Sequence, residues 1–426
     1  MNQNLYMFIK NYKPITMTTQ QPQQTIVNAI SISSTLLRNE LSRLAPFVTN
    51  QPIVPILENA LLTTDANQLS IYVSDLQISK TVRIPCECEV GLRICIPIKK
   101  IIKFLSTISE QPISLSVDEN TFKITINTQE PFGEYTFSGE NPIDFPKLPS
   151  FEPSYSFMIP ITQLRDILRT VKGYMGRDDL RPAMTGMYWG FHVDAAMQSW
   201  HEIAATDGHR LLKLTPDIAS AVTGPQGFES IWPGDLVRRL AILFPKKGDD
   251  IKIELTNYNI RLSWGHYSIT SRLVDEKFPD YNNGAIPTVN PVQVQVNRMA
   301  LIGAIRRALV FANPTTHQMK LTVKRNMYDG TGLYGSVHAE NLDYADEMKE
   351  TIKFIHNEGP GIVIGFNAKI MLEVLQSIST PTIELRMSQP SRAVLIHPII
   401  DKEADENFTS LIMPVMIWET VNYGRY

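Results

Sequence analysis

The feature that most constrains the fold of this chain is an internal repeat of about 133 residues. Phe145-Pro146 and Phe278-Pro279 lie 133 residues apart, and Met413-Pro414 stands near the end of a third copy. Related tripeptides, centred on Asp75, Asp207 and Asn341, occur in the middle of the copies at intervals of 132 and 134 residues. A repeat of this length is a whole domain, so the sequence predicts three domains of one kind in tandem.

Each copy repeats one order of elements: strand, helix, strands, strand, helix, strands. The predicted opening strands span 25–32, 155–159 and 291–296, and helices follow at 34–45, 161–175 and 297–312, with Ser34 and Asn297 as N-caps. Second helices begin at Pro97, Pro233 or Asn367 and end near Ser109, Phe244 or Ser379, before strands 113–117, 251–255 and 383–386. Each domain therefore reads as two βαβββ halves, which predicts an α+β fold.

The ends of the chain differ from the repeats. Residues 1–24 are polar and Gln-rich, which predicts a disordered extension. We expect domains at 25–150, 151–289 and 290–417, and a C-terminal extension at 418–426. There is no apolar run near the ~20 residues of a membrane span, and the start does not resemble a signal peptide. Three cysteines in 426 residues favour a reducing compartment. We therefore expect a cytoplasmic protein without a membrane partner.

Positive charge is concentrated in the predicted helices. These six segments carry 14 basic and 4 acidic residues, a net charge of +10, whereas the rest carries 26 basic and 39 acidic residues, a net charge of -13. In one helix the residues Arg165, Arg169 and Lys172 share a face, opposite the apolar positions Leu164, Ile167, Leu168 and Val171. In another, Lys99, Lys100 and Lys103 point away from Ile98, Ile101, Ile102, Leu105 and Ile108. One interpretation is a set of solvated helix faces. The other is a basic surface for nucleic-acid phosphates, which would bind without sequence preference.

Two short clusters could indicate a metal site or a catalytic site. Cys86-x-Cys88 could suggest a metal site, but no fourth ligand lies nearby in the sequence, so we expect no metal. Asp207, His209 and Arg210 could form an acid–base cluster. No activated nucleophile accompanies them, so we expect neither an enzyme nor a cofactor.

Together these features resemble the bacterial DNA sliding clamp, the beta subunit of the replicative DNA polymerase. The resemblance covers roughly residues 25–417. It rests on Ala205-Thr-Asp-Gly-His-Arg-Leu211, Lys277-Phe-Pro-Asp-Tyr281, Phe366-Asn367 before Leu372-Glu-Val-Leu375, and Leu411-Ile-Met-Pro-Val415. It implies a half-ring of three clamp domains. Two chains would close head-to-tail into a ring, with helices facing duplex DNA and sheets outside.

The resemblance also implies partners and sites. The partners are double-stranded DNA at the nucleoid, a second copy of the chain, the replicative polymerase, the clamp loader, and other proteins with short clamp-binding peptides. The implied DNA-facing residues are Arg38, Arg43, Lys99, Lys100, Lys103, Arg165, Arg169, Lys172, Arg177, Arg181, Arg238, Arg239, Arg298, Arg306 and Arg307. The implied peptide cleft comprises Met184, Thr206, Gly208, His209, Arg210, Leu211, Pro279, Ala285, Leu411, Met413, Pro414, Val415 and Met416. The implied dimer interface joins Tyr135 and Phe137 to Val310 and Phe311, for which core packing is the alternative.

The chain departs from the family pattern in a few places. It continues past Ile417, Met416 stands where relatives often carry arginine, and Pro182-Ala183 replaces aromatic residues of some relatives. Gln51 occupies a position where a basic residue can occur. The extensions at both ends keep open a second hypothesis, a divergent plasmid- or phage-type clamp that acts as an interaction scaffold outside chromosomal replication.

Overall fold

The computed structural model of the chain describes residues 28–49, 52, 54–88, 91–147, 151–219, 222–224, 227–324 and 334–417. The chain divides into two compact units. The first comprises the residues up to Asp75 together with Val82–Pro146, and the second comprises Leu76–Thr81 and the residues from Lys147 onward. The predicted extensions at 1–24 and 418–426, and Gln51, lie outside the described residues.

The first unit has the predicted sequence of elements. They are β1 (Asn28–Ser33), α1 (Ser34–Leu44), β2 (Ala60–Asp65), β3 (Gln68–Ser74), β4 (Ile78–Pro85, of which 82–85 belong to this unit), β5 (Glu87–Cys88), β6 (Arg93–Ile96), α2 (Ile98–Leu105), β7 (Pro112–Asp118), β8 (Lys123–Gln129) and β9 (Phe132–Ser138). One antiparallel sheet has the order β5-β1-β7-β8-β9, and strands β4, β3, β2 and β6 follow one another in a second sheet.

The second unit contains two further copies of this order. Its elements are β10 (Tyr155–Pro160), α3 (Ile161–Val171), α4 (Pro182–Thr185), β11 (Met187–Val193), β12 (Ser199–Thr206), β13 (Arg210–Leu214), β14 (Phe228–Trp232), α5 (Gly234–Leu243), β15 (Asp250–Leu255), β16 (Asn259–Trp264), β17 (Tyr267–Arg272), β18 (Val292–Asn297), α6 (Arg298–Phe311), β19 (Gln318–Val323), β20 (Tyr334–Asn341), β21 (Asp346–Glu358), β22 (Ile362–Asn367), α7 (Ala368–Ser377), β23 (Thr382–Met387), β24 (Val394–Ile400), β25 (Glu403–Ala404) and β26 (Phe408–Ile412). Strands β10-β15-β16-β17 are neighbours in one sheet. A longer antiparallel sheet runs β14-β11-β12-β13-β26-β24-β23-β18-β21-β20-β19-β22.

The helices bury one apolar face each, as their sequence period predicts. In α2, for example, Ile98, Ile101 and Leu105 are buried and the three lysines are exposed. The helices pack in pairs, α1 with α2, α3 with α5, and α6 with α7. Removal of these apolar side chains from water is the main term that stabilises each layer of helices and strands.

The repeat is also visible in how each copy closes. The three related tripeptides begin at the ends of β3, β12 and β20, so they end equivalent strands. After its last long strand, the backbone of each copy donates a hydrogen bond to the equivalent strand of that copy, β6, β14 or β22. Glu140 N–H donates to the Cys95 carbonyl at 3.0 Å, Val274 N–H to the Ile231 carbonyl at 2.9 Å, and Val415 N–H to the Gly365 carbonyl at 2.9 Å. The prediction of one α+β domain in three copies is confirmed by this architecture.

Some predicted boundaries are wrong. The N-cap of α1 is Ser33, whose hydroxyl accepts from the Leu36 N–H, while Ser34 is the first helical residue and donates to the Ser109 carbonyl. Helix α3 ends at Val171, four residues before the predicted end, and α2 ends at Leu105, so Ile108 lies beyond it. Asn297 does cap α6, through the Ala300 N–H. None of the described helices combines the length and apolar character that a bilayer span requires.

Candidate functional site

An apolar floor forms where the two copies in the second unit share the long sheet. β13 and β26 pair antiparallel, with Leu211 opposite Leu411, and β24 continues the face with Leu395 opposite Leu411. On the other side, β11 and β12 add Tyr188 opposite Ala204. These side chains belong to one buried cluster, because residues that face each other across a register share a face of the sheet.

A segment without regular secondary structure covers part of this floor. Phe278 and Tyr281 are buried against it, and the Phe278 ring lies 5.2 Å from that of Tyr188, centroid to centroid. Ala285 and Ile286 pack on the same cluster, and both of their N–H groups donate to the Tyr281 carbonyl at 3.3 Å. The segment therefore forms one wall of a cleft, with the sheet as its base.

The cleft has a volume of about 410 Å³ and mostly apolar walls. Nine of the thirteen predicted members line it: Met184, Thr206, Gly208, Arg210, Leu211, Pro279, Ala285, Leu411 and Met413. Six further residues were missed by sequence reasoning: Asp280, Tyr281, Gly284, Ser391, Arg392 and Ala393. Asp280 and Tyr281 belong to a motif that the sequence did mark, whereas residues 391–393 lie in the β23–β24 turn and carry no motif.

The other four predicted members lie beside the cleft and do not line it. His209 has an exposed side chain, and its carbonyl accepts from the Met413 N–H at 2.8 Å. The chain then leaves the cleft: Val415 pairs with Gly365 at the edge of β22, and the Met416 carbonyl accepts from Gln318 Nε2 at 2.8 Å. Pro414, between Met413 and Val415, is half-buried.

The turn after β12 is held by its own side chains. Thr206 Oγ1 donates to the Arg210 carbonyl at 2.7 Å and accepts from the Gly208 N–H at 3.1 Å, and Gly208 has φ +85°, which glycine adopts without strain. The Asp207 carboxylate accepts from the His209 and Arg210 N–H groups and from the Arg210 guanidinium at 3.1 Å. These bonds occupy the Asp207 carboxylate, so the geometry of the proposed acid–base cluster is that of a structural turn.

Arg210 connects this turn to the helices. Its guanidinium donates to the Glu373 carboxylate on α7 at 2.7 Å and lies 5.8 Å from the centre of the Tyr174 ring. The Tyr174 hydroxyl is buried between the hydroxyls of Ser377 and Ser410, at 2.9 and 3.0 Å. Burial raises the pKa of Tyr174, so the phenol stays protonated and bonds to both serines.

A buried ionic group supports the cleft wall. The Glu202 carboxylate accepts from the Tyr281 hydroxyl and pairs with Lys213 Nζ at 3.0 Å. Burial by itself raises the pKa of Glu202, but the hydrogen bonds from Tyr281 and Lys213 outweigh it and hold the pKa below its usual range. Burial, together with the adjacent Glu202, raises the pKa of Tyr281. At neutral pH Glu202 is therefore a carboxylate and Tyr281 a neutral phenol.

The predicted basic residues are on the surface to different degrees. In the first unit Arg43, Lys99, Lys100 and Lys103 are exposed and Arg38 is half-buried; in the second, Arg169, Lys172, Arg177, Arg181, Arg238, Arg306 and Arg307 are exposed and Arg165, Arg239 and Arg298 are half-buried. Several form ion pairs within the chain: Arg43 with Glu40, Arg165 with Asp166, Arg181 with Asp178, Arg238 with Asp235, and Arg307 with Glu350. The charge that these residues offer to a ligand is correspondingly reduced.

Arg298 has a further role that the sequence did not indicate. It donates to the carbonyls of Thr380, Leu375 and Ser379 at 2.6, 3.2 and 3.4 Å. These carbonyls lie in and just after the last turn of α7, where helical acceptors lack helical partners. Arg298 therefore joins the start of α6 to the end of α7.

The predicted interface residues are only partly buried. In the first unit, Tyr135 and Phe137 lie on β9, at the end of the five-stranded sheet, with their ring centres 4.5 and 5.4 Å from that of Phe104. In the second unit, Val310 is 76% exposed and Phe311 is half-buried at the end of α6. The exposure of Val310 distinguishes it from a core position.

Comparison with known proteins identifies the repeat. Models of the DNA polymerase III beta subunit match the N-terminal domain at residues 28–149, the central domain at 158–280 and the C-terminal domain at 283–416. The beta sliding clamp of Pseudomonas aeruginosa is 26% identical over 391 residues, 91% of this chain and 99% of that protein, and the Haemophilus influenzae clamp is 24% identical over 390 residues, with the same coverage.

Solved structures show the same fold. A crystal structure of the DNA polymerase sliding clamp from Pseudomonas aeruginosa is similar, with a TM-score of 0.80, 25% identity and coverage of 92% of this chain and 100% of the other. That from Bacillus subtilis has a TM-score of 0.82 at 21% identity with the same coverage. The three repeats are thus three clamp domains, and the chain belongs to the DNA polymerase III beta subunit family.

Proposed function

We propose that this chain is a sliding clamp and processivity factor of DNA replication: two copies close head-to-tail around duplex DNA, slide without sequence preference, and tether replication proteins. The observation that carries the proposal is the match of three clamp domains, in order, over residues 28–416. The matched relatives are named as beta sliding clamps, which does not favour the alternative of a scaffold outside replication. We place the domain boundaries after residues 150 and 289, and the protein at the nucleoid.

The basic helix faces are the proposed DNA surface. Lys99, Lys100 and Lys103 are exposed on one short helix whose opposite face is buried. Contacts of such residues with phosphates carry no base information, so they hold the duplex without fixing a position on it. The topology of a ring, and not tight binding, would keep the protein on DNA.

The cleft is the proposed tether. Its floor of leucines and aromatic rings suits apolar side chains of a short linear peptide, and Met184 and Met413 adapt to different ligands because the thioether chain is flexible. We propose that the replicative polymerase, the clamp loader and other DNA-processing proteins compete for it. No catalytic role is part of this proposal.

One experiment tests the ring directly. The protein is loaded on nicked circular DNA by a clamp loader with ATP, and the circle is then linearised. A ring leaves through the ends, so we expect retention on the circle and loss from the linear DNA. Equal retention on both forms would overturn the proposal.

Charge reversal tests the DNA surface. Lys99→Glu with Lys100→Glu and Lys103→Glu should weaken binding to duplex DNA and lower the salt slope of log K by about 0.9 for each lost phosphate contact. The control combines Lys246→Glu, Lys247→Glu and Lys402→Glu, which removes the same charge from other exposed positions. Equal loss in both variants would indicate that only net charge matters.

The dimer contact has a separate test. Val310→Asp places a charge on an exposed apolar residue at the proposed interface, so we expect a monomer in sedimentation equilibrium. Val289→Asp, at a residue 74% exposed and outside the proposed interface, is the matched control. A dimer that survives Val310→Asp would contradict the assigned interface.

A further inference from the structure

The wall of the cleft depends on side chains that do not line it. Glu202 and Lys213 are absent from the lining, yet both contact the segment that forms the wall. Glu202 is 7% exposed, and its carboxylate accepts from the Tyr281 hydroxyl and the Lys213 ammonium. Lys213 also donates to Asn282 Oδ1 at 3.0 Å, and its Nζ lies 5.9 Å from the centre of the Tyr281 ring.

The register of the sheet explains why these groups meet. Lys213 on β13 stands opposite Ala204 on β12, and Glu202 precedes Ala204 by two residues, so all three point to the face that carries the cleft floor. Tyr281 lies over this face from the covering segment. Its ring borders the cavity while its hydroxyl reaches down to Glu202.

The covering segment has no regular secondary structure. Residues 278–286 contain neither helix nor strand, and they pack on the floor through Phe278, Ala285 and Ile286. The attachment to Glu202 and Lys213 therefore fixes two successive residues, Tyr281 and Asn282, of an otherwise irregular wall. A buried ion pair is costly to form and gives little net stability, but its directional bonds specify one arrangement of the groups around it.

We propose that Glu202 and Lys213 are positioning residues for the ligand of the cleft. They hold the Tyr281 ring in place, and the fixed ring then selects a peptide whose apolar or aromatic side chain packs against it. This inference rests on the proposed peptide-binding function. A ligand gains affinity when the protein groups it contacts are already in the bound arrangement, because it need not order them.

The probe is a fluorescein-labelled peptide selected from a random linear library on the wild-type protein. It is kept only if Met413→Asp, a change in the lining of the cleft, abolishes its binding. The dissociation constant is measured by fluorescence anisotropy, well below the melting temperature of every variant. If no selected peptide depends on Met413, the proposed function of the cleft fails, and that failure is distinct from failure of the positioning role.

Glu202→Gln leaves the Lys213 ammonium without its counter-charge, and we expect affinity to fall on the order of tenfold. The matched control is Glu254→Gln. Glu254 is also buried and also pairs with a lysine, Lys252 at 2.7 Å, but neither residue lines the cleft or contacts its wall. We expect the control to bind within about twofold of wild type.

A double variant separates loss of positioning from the cost of an unpaired charge. Glu202→Gln with Lys213→Met leaves no unpaired charge but also removes the bond from Lys213 to Asn282, so we expect affinity to stay at least as low as in Glu202→Gln. Wild-type affinity in Glu202→Gln would overturn the proposal. So would an equal loss in Glu254→Gln, or recovery of wild-type affinity in the double variant.

Discussion

Arg298 and Arg306 carry the same charge on the same helix, yet the structure predicts that their removal has different effects. Arg298 donates to three carbonyls around the end of α7, the shortest at 2.6 Å to Thr380. Arg306 is exposed, and among the described residues its side chain has no partner. The perturbation is therefore a pair of single changes, Arg298→Ala and Arg306→Ala.

The expected magnitude follows from the three bonds of Arg298. A hydrogen bond from a charged donor contributes about 1.5–3 kcal/mol, and the bonds at 3.2 and 3.4 Å add less because they are long. We expect Arg298→Ala to cost about 2–3 kcal/mol, which lowers the melting temperature of a unit of this size by roughly 4–12 °C. Arg306→Ala should stay within about 0.5 kcal/mol of wild type.

Thermal unfolding followed by circular dichroism measures the global effect, and hydrogen exchange with mass spectrometry locates it. Arg298→Ala should speed exchange at residues 375–382 and leave the first unit unchanged. In duplex DNA binding, Arg306→Ala should lower the slope of log K against log salt concentration by about 0.9. Arg298→Ala should not change this slope, because the Arg298 guanidinium is already bonded within the protein. Equal melting temperatures for the two variants would refute the capping role of Arg298.

Three further outcomes follow from buried groups and backbone geometry. Burial lowers the pKa of His201 from 6.5 to about 4. As the pH falls, the unfolded chain therefore binds a proton on this histidine before the folded chain does. The contribution of His201 to the free energy of unfolding is complete above pH 6.5, and that free energy falls by about 3 kcal/mol as the pH drops to about 4. The free energies of unfolding of wild type and His201→Gln, measured by urea titration, should depend differently on pH only in that range. Parallel pH dependences would contradict the burial of a neutral ring. Tyr174→Phe leaves the buried Ser410 hydroxyl and the half-buried Ser377 hydroxyl short of a partner and should cost about 1–3 kcal/mol by urea unfolding, whereas Tyr344→Phe, at a residue 75% exposed, should cost almost nothing. Gly359 has φ +93°, and an added Cβ would lie 2.0 Å from the Pro291 carbonyl oxygen, so Gly359→Ala should lower the melting temperature; an unchanged value would show that the turn can relax.

Periodic features of the fold could be predicted from the sequence, because they depend on local spacing. The buried face of α2 follows from Ile98, Ile101 and Leu105 at helical intervals, and the three-domain repeat follows from recurrent motifs. Helix ends were less accessible. Ser33 and Ser34 are both chemically able to cap, and the choice depends on Ser109, which comes near only after folding.

The candidate site could be predicted only in part, because many of its contacts join residues that are distant in the sequence. Motif matching located nine lining residues of the cleft but could not find Arg392, which lies in a turn between two strands of the next domain. The Glu202–Lys213–Tyr281 contacts join three separated segments, and no periodicity links them. Arg298 was grouped with DNA-facing residues because its charge is visible in the sequence, whereas its carbonyl partners about 80 residues away are not.

The cleft is a property of the junction between the second and third domains and of neither domain alone. Its floor joins Leu211 on β13 to Leu411 on β26 through a five-residue register, and the Met413 N–H bond to the His209 carbonyl extends that register by one step. A strand turns every side chain to its other face when the register slips by one residue. A slip here would remove Leu211 or Leu411 from the floor while leaving each domain's own core intact. The pairing of β13 with β26 therefore sets the shape of the cleft, and the Glu202–Lys213 pair, on β12 and β13, connects the sheet to Tyr281 and Asn282 of the covering wall.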